Sequence, residues 1–148
     1  MLPRMFASVA LLTPLLIAAG PASVVTPGKW ENRIDIIDVK LEGGPPGLAK
    51  AIMGKPIVVT SCITPAQATM GPKSLFKANK GCRVVRYQAA AGKISSEFVC
   101  IRPGGTQRVV SSGSYSADRY AVISKGVMTG QMSMTTTSRT TGRRIGGC

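Results

Sequence analysis

From residue 30 onward, apolar and polar side chains alternate with the period of two that a half-buried strand requires. In residues 30–41 (WENRIDIIDVKL), Trp30, Ile34 and Ile36 share one parity, with Glu31, Arg33 and Asp35 between them. The parity then flips, so that Ile37, Val39 and Leu41 become the apolar set and Asp38 and Lys40 the polar one. Two adjacent isoleucines at that phase change predict a bulge or bend inside one long strand. Residues 56–63 (PIVVTSCI) predict a second strand. Glycine and proline punctuate the stretch between them, residues 42–55. There Pro46 can open a single helical turn over Leu48, Ala51 and Ile52 that Gly54 closes, in a segment read as a connector rather than a lid.

After the second strand, Thr64-Pro65-Ala66-Gln67 is a capping box, with proline at the first helical position and glutamine at the third. It predicts one short helix ending at Gly71-Pro72, with a further turn over residues 73–79. From Cys82 the pattern becomes a meander. Strands are predicted over 82–90, 93–101, 106–115 and 119–125, with turns at Ala91-Gly92, Pro103-Gly104-Gly105 and Ser116-Ala117-Asp118. Residues 126–137 predict a last strand, in which Met128, Met132 and Met134 alternate in part with threonine and serine. The tail, residues 138–148, has the composition of a disordered segment yet ends in a cysteine, which argues that it is tied down. The expected fold is all-β: an antiparallel meander of about seven strands forming a curled sheet, a sandwich or a partly closed barrel, with one short helix after the second strand.

The beginning of the chain departs from this pattern. Arg4 precedes an apolar run over residues 6–19, and Gly20-Pro21-Ala22-Ser23 supplies small residues, the arrangement of an export leader cleaved after Ala22. The run is about 14 residues, short of the roughly 20 needed to span a membrane, and Pro14 interrupts it. Residues 1–22 therefore read as a signal peptide and residues 23–148 as a single domain, periplasmic or secreted. In such a compartment Cys62, Cys82, Cys100 and Cys148 read as two disulfides. Four cysteines allow three pairings. If three of them gather at one end of the sheet, Cys62–Cys82 staples the helical connection and Cys100–Cys148 pins the tail. Cys82–Cys100 with Cys62–Cys148 stays open as the alternative, because the Ala91-Gly92 hairpin sets Cys82 nearly opposite Cys100.

Charge narrows the function classes. The chain has 19 Lys and Arg against 6 Asp and Glu, and removal of Arg4 with the leader leaves a net +12. That balance favours anionic partners such as envelope components or an acidic protein. Two groups of cations are candidate anion-binding residues: Lys73, Lys77, Lys80, Arg83 and Arg86 around the helical connection, and Arg139, Arg143 and Arg144 in the tail. Beside the first group only Tyr87 reads as available for stacking, too little stacking surface for a single-strand nucleic-acid binder. The chain has no histidine, which removes Ser-His-Asp and Cys-His nucleophile systems and histidine metal sites. The few acids form no acid/base pair, and Glu97 and Asp118 stand alone. Ser111, Ser112, Ser114 and Ser116 surround Gly113 without a nucleophile elbow or a base, and read as a polar sheet face. No catalytic residue, metal or cofactor is expected.

Several segments together carry a resemblance. They are Pro27-Gly28-Lys29-Trp30-Glu31, Cys62-Ile63-Thr64-Pro65 leading into a helix, Gly81-Cys82, Cys100, the methionine and threonine strand, and Arg143-Arg144-Ile145-Gly146-Gly147-Cys148. In this order they resemble the small exported bacterial proteins of the unknown-function family DUF3617, over essentially the whole chain after the leader. Residues 42–55 depart from the proline- and methionine-rich segment usual there. The resemblance implies an exported β-rich domain with two disulfides and brings no catalytic residues. The reading is a non-enzymatic periplasmic binding or envelope-associated domain with a basic surface. The alternative is a secreted protein–protein interaction module, such as an enzyme inhibitor or stress-response factor.

Overall fold

A computed structural model describes residues 25–70 and 81–148. The predicted leader, the end of the capped helix and Lys73, Lys77 and Lys80 lie outside the described residues. Seven strands run in chain order as β1 (Gly28–Glu42), β2 (Ile57–Ile63), β3 (Cys82–Ala90), β4 (Lys93–Arg102), β5 (Gly105–Tyr115), β6 (Arg119–Gly130) and β7 (Ser133–Gly146). Helix α1 (Leu48–Ile52) follows β1 and helix α2 (Pro65–Met70) follows β2. Every pairing is antiparallel, in one sheet of order β2-β1-β7-β6-β5-β4-β3. The sheet curls without closing, and β2 and β3 are its two edges. The fold is therefore the curled meander rather than a sandwich, with the last strand returning to pair beside the first.

Local chemistry explains the punctuation. The β3–β4 turn is Ala91-Gly92, both at positive φ (49° and 73°), which a right-twisted two-residue hairpin requires. The α2 capping box forms as its residues dictate: the Gln67 N–H donates to Thr64 Oγ1 at 3.2 Å, and the Thr64 N–H donates to Gln67 Oε1 at 2.9 Å. The isoleucine phase change is a real bulge, since the β1–β7 register shifts between Ile36 and Asp38 and leaves Ile37 as the extra residue. The turn foreseen over Leu48 and Ile52 forms as well, making two short helices where one was expected after β2 alone.

Three expectations are corrected. The break placed before Gly126 does not exist. β6 runs on to Gly130, because residues 126–130 keep pairing with β5 from Val109 to Gly105, and the turn falls at Gln131–Met132 instead. The tail is not irregular: residues 138–146 complete β7, a threonine-rich strand hydrogen-bonded on both sides by β1 and β6. Finally, Cys62–Cys82 does not form. Cys82 lies opposite Cys100 in the β3–β4 register, and the two are bonded with a Cα–Cα distance of 4.0 Å. The cysteines do not gather at one sheet end either, for Cys62 faces Lys29 at the start of β1. The Cys82–Cys100 row instead runs through Gln107, Met128 and Met134 to Leu41, near its end.

Candidate functional site: a two-faced sheet

Residues paired directly across an antiparallel ladder point to the same face, so the register sorts every strand residue. One face carries Trp30, Ile34, Ile36, Val39 and Leu41 of β1. Successive rows continue it through Val84–Phe98–Val109–Gly126–Thr136 and through Ala89–Ile94–Gly113–Val122–Thr140. This is the inner face. Trp30 at 0% exposure, Cys100 at 2% and Val39 at 8% lie on it, while most of its other side chains are only half-buried. Among the described residues no second layer of sheet packs against it.

Charge is almost excluded from that face. The same register sends Lys29, Arg33, Lys40, Arg83, Arg86, Lys93, Arg108, Arg119, Lys125, Arg139 and Arg143 outward, together with Glu31, Asp35, Asp38, Glu42 and Glu97. The strand-borne exceptions are Arg144, in the row of Trp30 and Ser61, and Arg102, just beyond Cys100. They stand at opposite ends of the apolar surface. Arg144 Nε donates to the Pro27 carbonyl at 2.9 Å, and Arg102 reaches the Cys82 sulfur at 3.9 Å.

A hydroxyl row crosses the middle of the inner face. Tyr87, Ser96, Ser111, Ser124 and Ser138 are consecutive partners across β3 to β7, and Ser111 and Ser124 share a hydrogen bond of 2.8 Å. The Tyr87 hydroxyl at the end of this row is buried and without a hydrogen-bond partner among the described residues. Burial first, and the neighbouring Tyr115, hold its phenol above the ordinary value. The serine group around Gly113 is thus split by alternation. Ser111 is an inner residue, whereas Ser112 and Ser114 face outward, so the four do not make one polar face.

At the upper end, near the start of β1, the aromatic residues close the curl. Trp30 stacks on Tyr120 at a centroid distance of 5.9 Å and donates from Nε1 to the Thr26 carbonyl at 3.0 Å. The Tyr120 ring lies over Gly142, where any Cβ would collide with it, and its hydroxyl donates to Asn32 Oδ1 at 2.5 Å. A shallow depression of about 400 Å³ lies beside Tyr115 and Tyr120.

The described cations from the sequence reading have separate fates. Arg143 donates to Glu31 at 2.8 Å, and Arg86 lies 3.8 Å from Glu97, whose other oxygen holds Arg108 at 2.8 Å. Glu97 is therefore a buried bridge between two arginines rather than a free acid. Asp118 is held below the usual carboxylate range by hydrogen bonds, first from Arg119 and then from Ser116. Arg139 sits with Lys93 in an outer depression of about 500 Å³ lined also by Ser112 and Ser114, with no carboxylate in the lining. Arg83 also faces outward, away from Arg144, so the five described cations, Arg83, Arg86, Arg139, Arg143 and Arg144, form no single cluster. From the sequence, Trp30, Ile34 and Ile36 could line a cavity but read more readily as core, and the rest of the inner face was not named as a site. Its signal was present as the absence of charge at alternate positions, but only the register joins those positions across strands.

With this geometry in view, residues 25–148 match the family described as protein of unknown function DUF3617. The chain belongs to that family. No curated protein and no solved structure matches it significantly. Among the described residues of this DUF3617 chain, no helix is long and apolar enough to cross a membrane, and no three potential metal-ligating side chains come together.

Proposed function

We propose that this DUF3617 domain is a non-enzymatic, exported binding domain whose inner face takes an anionic amphiphile. The observation that carries this reading is the apolar, half-exposed inner face, free of charge along its length and bounded by one guanidinium at each end. An alkyl chain laid along that face would gain about 0.8 kcal/mol for each methylene it removes from water. A phosphate or carboxylate head would then meet Arg102 or Arg144, which offer forked donors. The Tyr87 hydroxyl supplies a hydrogen bond for an ester or hydroxyl along the way. The basic outer face complements an anionic envelope surface, and the leader-like composition of residues 1–22 supports an exported location. Proteins that bind such ligands need no catalytic group.

The test uses a monomeric anionic lysophospholipid and its zwitterionic counterpart of equal chain length, followed through the fluorescence of Trp30, the single tryptophan. The anionic probe should bind more tightly, and its advantage should shrink as salt is raised. Arg102→Glu should weaken anionic binding several-fold while leaving the zwitterionic probe unchanged. Equal affinity for both probes, or none for either, removes this reading.

One observation favours a second reading, that of a protein–protein module. Edge strand β2 pairs only with β1, and Ile57, Val58 and Val59 stand 45–55% exposed on it. Such an edge can accept a strand from another protein. Crosslinking through β2 to one specific envelope protein, with no amphiphile binding, would favour this alternative.

A further inference from the structure

Cys62 and Cys148 are far apart in sequence and meet at one place. Lys29 of β1 stands between two partners, Cys62 of β2 on one side and Gly146 of β7 on the other. Gly28 lacks the side chain that would block the end of β7, for a Cβ there would strike the Gly146 carbonyl and the Arg144 guanidinium. Two further residues carry the chain over the start of β1 toward β2. There Cys62 is the foremost influence holding the Cys148 thiol above its ordinary pKa, ahead of burial, while the Ile63 backbone acts in the opposite sense. Both cysteines are exposed.

We propose that Cys62 and Cys148 form the domain's second disulfide, a clasp across the start of β1 that fastens the end of β7 to edge strand β2. It is also the more readily reduced of the two bonds. The inference is independent of any ligand. The clasp forms by thiol–disulfide exchange with a small-molecule or protein disulfide. One thiolate of the pair attacks the donor, giving a mixed disulfide and releasing one donor thiol. The second cysteine then displaces the other donor thiol as the Cys62–Cys148 bond closes. Two protein thiols are oxidised to one disulfide, one donor disulfide is reduced to two thiols, and the two protons leave with those thiols.

Access separates the two bonds. Cys100 is 2% exposed on the inner face and its partner Cys82 is half-buried, so an attacking thiolate has less access to the Cys82–Cys100 bond. The sulfurs of Cys62 and Cys148 lie on the outside, and exchange rates follow access to the sulfur that is attacked. The clasp also joins residues much further apart in sequence than the 18 that separate Cys82 and Cys100, so it constrains more of the unfolded chain.

The test uses the full chain matured in an oxidising compartment, purified without reductant, alkylated and mapped by mass spectrometry under non-reducing conditions. The expected result is linked peptides for 62–148 and 82–100, with no alkylated cysteine. Alkylated Cys62 and Cys148 beside an intact Cys82–Cys100 bond would overturn the proposal, as would a 62–82 pairing or a disulfide-linked dimer. Under graded reduction, Cys62 and Cys148 should become alkylable at least tenfold faster than Cys82 and Cys100; equal rates overturn the claim of lability. As an independent readout, Cys62→Ser and Cys148→Ser should each lower the thermal midpoint by about 5 °C, and the double variant by no more than either. Additive losses would mean that the two cysteines do not act through one bond.

Discussion

The Tyr120 phenol of β6 joins three strands, contacting Trp30 and Asn32 of β1 and Gly142 of β7. Its ring stacks on Trp30 and covers Gly142, and its hydroxyl donates to Asn32. Burial alone raises its pKa above the ordinary phenol value of about 10. The linkage sign follows from that direction. A phenol whose folded pKa is raised stabilises the fold fully below about pH 10, and that stability is lost as pH climbs through the folded value. The denaturation midpoint should therefore fall on raising the pH above 10, and Tyr120→Phe should flatten that fall although it costs stability at neutral pH. Denaturant titrations of both proteins across this range check it; identical alkaline slopes would contradict it. The sequence placed Trp30 on the apolar parity of β1 with Ile34 and Ile36. Its partner could not be read, because Tyr120 lies 90 positions away and the pairing depends on β7 threading between β1 and β6.

At the scale of elements, β4 shows how an isolated acid becomes structural. Glu97 sits between Arg86 of β3 and Arg108 of β5, and its side chain keeps only 11% exposure while the arginines keep 68% and 61%. In sequence it stood as a lone carboxylate with no partner for acid/base work. Glu97→Gln should cost about 1–2 kcal/mol, between the values for exposed and buried ion pairs, since two guanidiniums would face each other with no counter-charge. A shift in the urea midpoint at unchanged slope would show it; a stability-neutral variant would argue that the carboxylate serves something other than the fold. β7 teaches the complementary lesson. Its threonines, serines and arginines look like a tail when taken alone, yet a strand flanked on both sides gains ladder hydrogen bonds from two neighbours. Tertiary pairing overrides composition there.

For the whole molecule, the separation of charge between the two faces has a measurable cost. Most of the strand-borne cations share the outer face with five acids, and the charge is a net +13 over the whole chain. Repulsion among them destabilises the curl, and salt screens it. Raising sodium chloride from low to near-molar concentration should raise the thermal midpoint by about 2–4 °C, on the order of 1 kcal/mol at this size. A midpoint that falls with salt would mean that attraction in pairs such as Arg143–Glu31 and Arg108–Glu97 outweighs the repulsion.

The sequence by itself determined the first five strands, a total of about seven, the bulge at Ile36–Ile37, the capped helix after β2 and the all-β class, because periodicity, turn residues and caps act over a few neighbouring positions. It also made plain the basic charge and the absence of histidine. Only the tertiary structure decided that β7 closes against β1, that Cys82 bonds Cys100 and leaves Cys62 beside Cys148, and that five hydroxyl-bearing residues on five strands form one row. Each of these depends on register between segments distant in the chain. Register is fixed by the whole sheet at once, since a shift of one residue would exchange its apolar and charged faces.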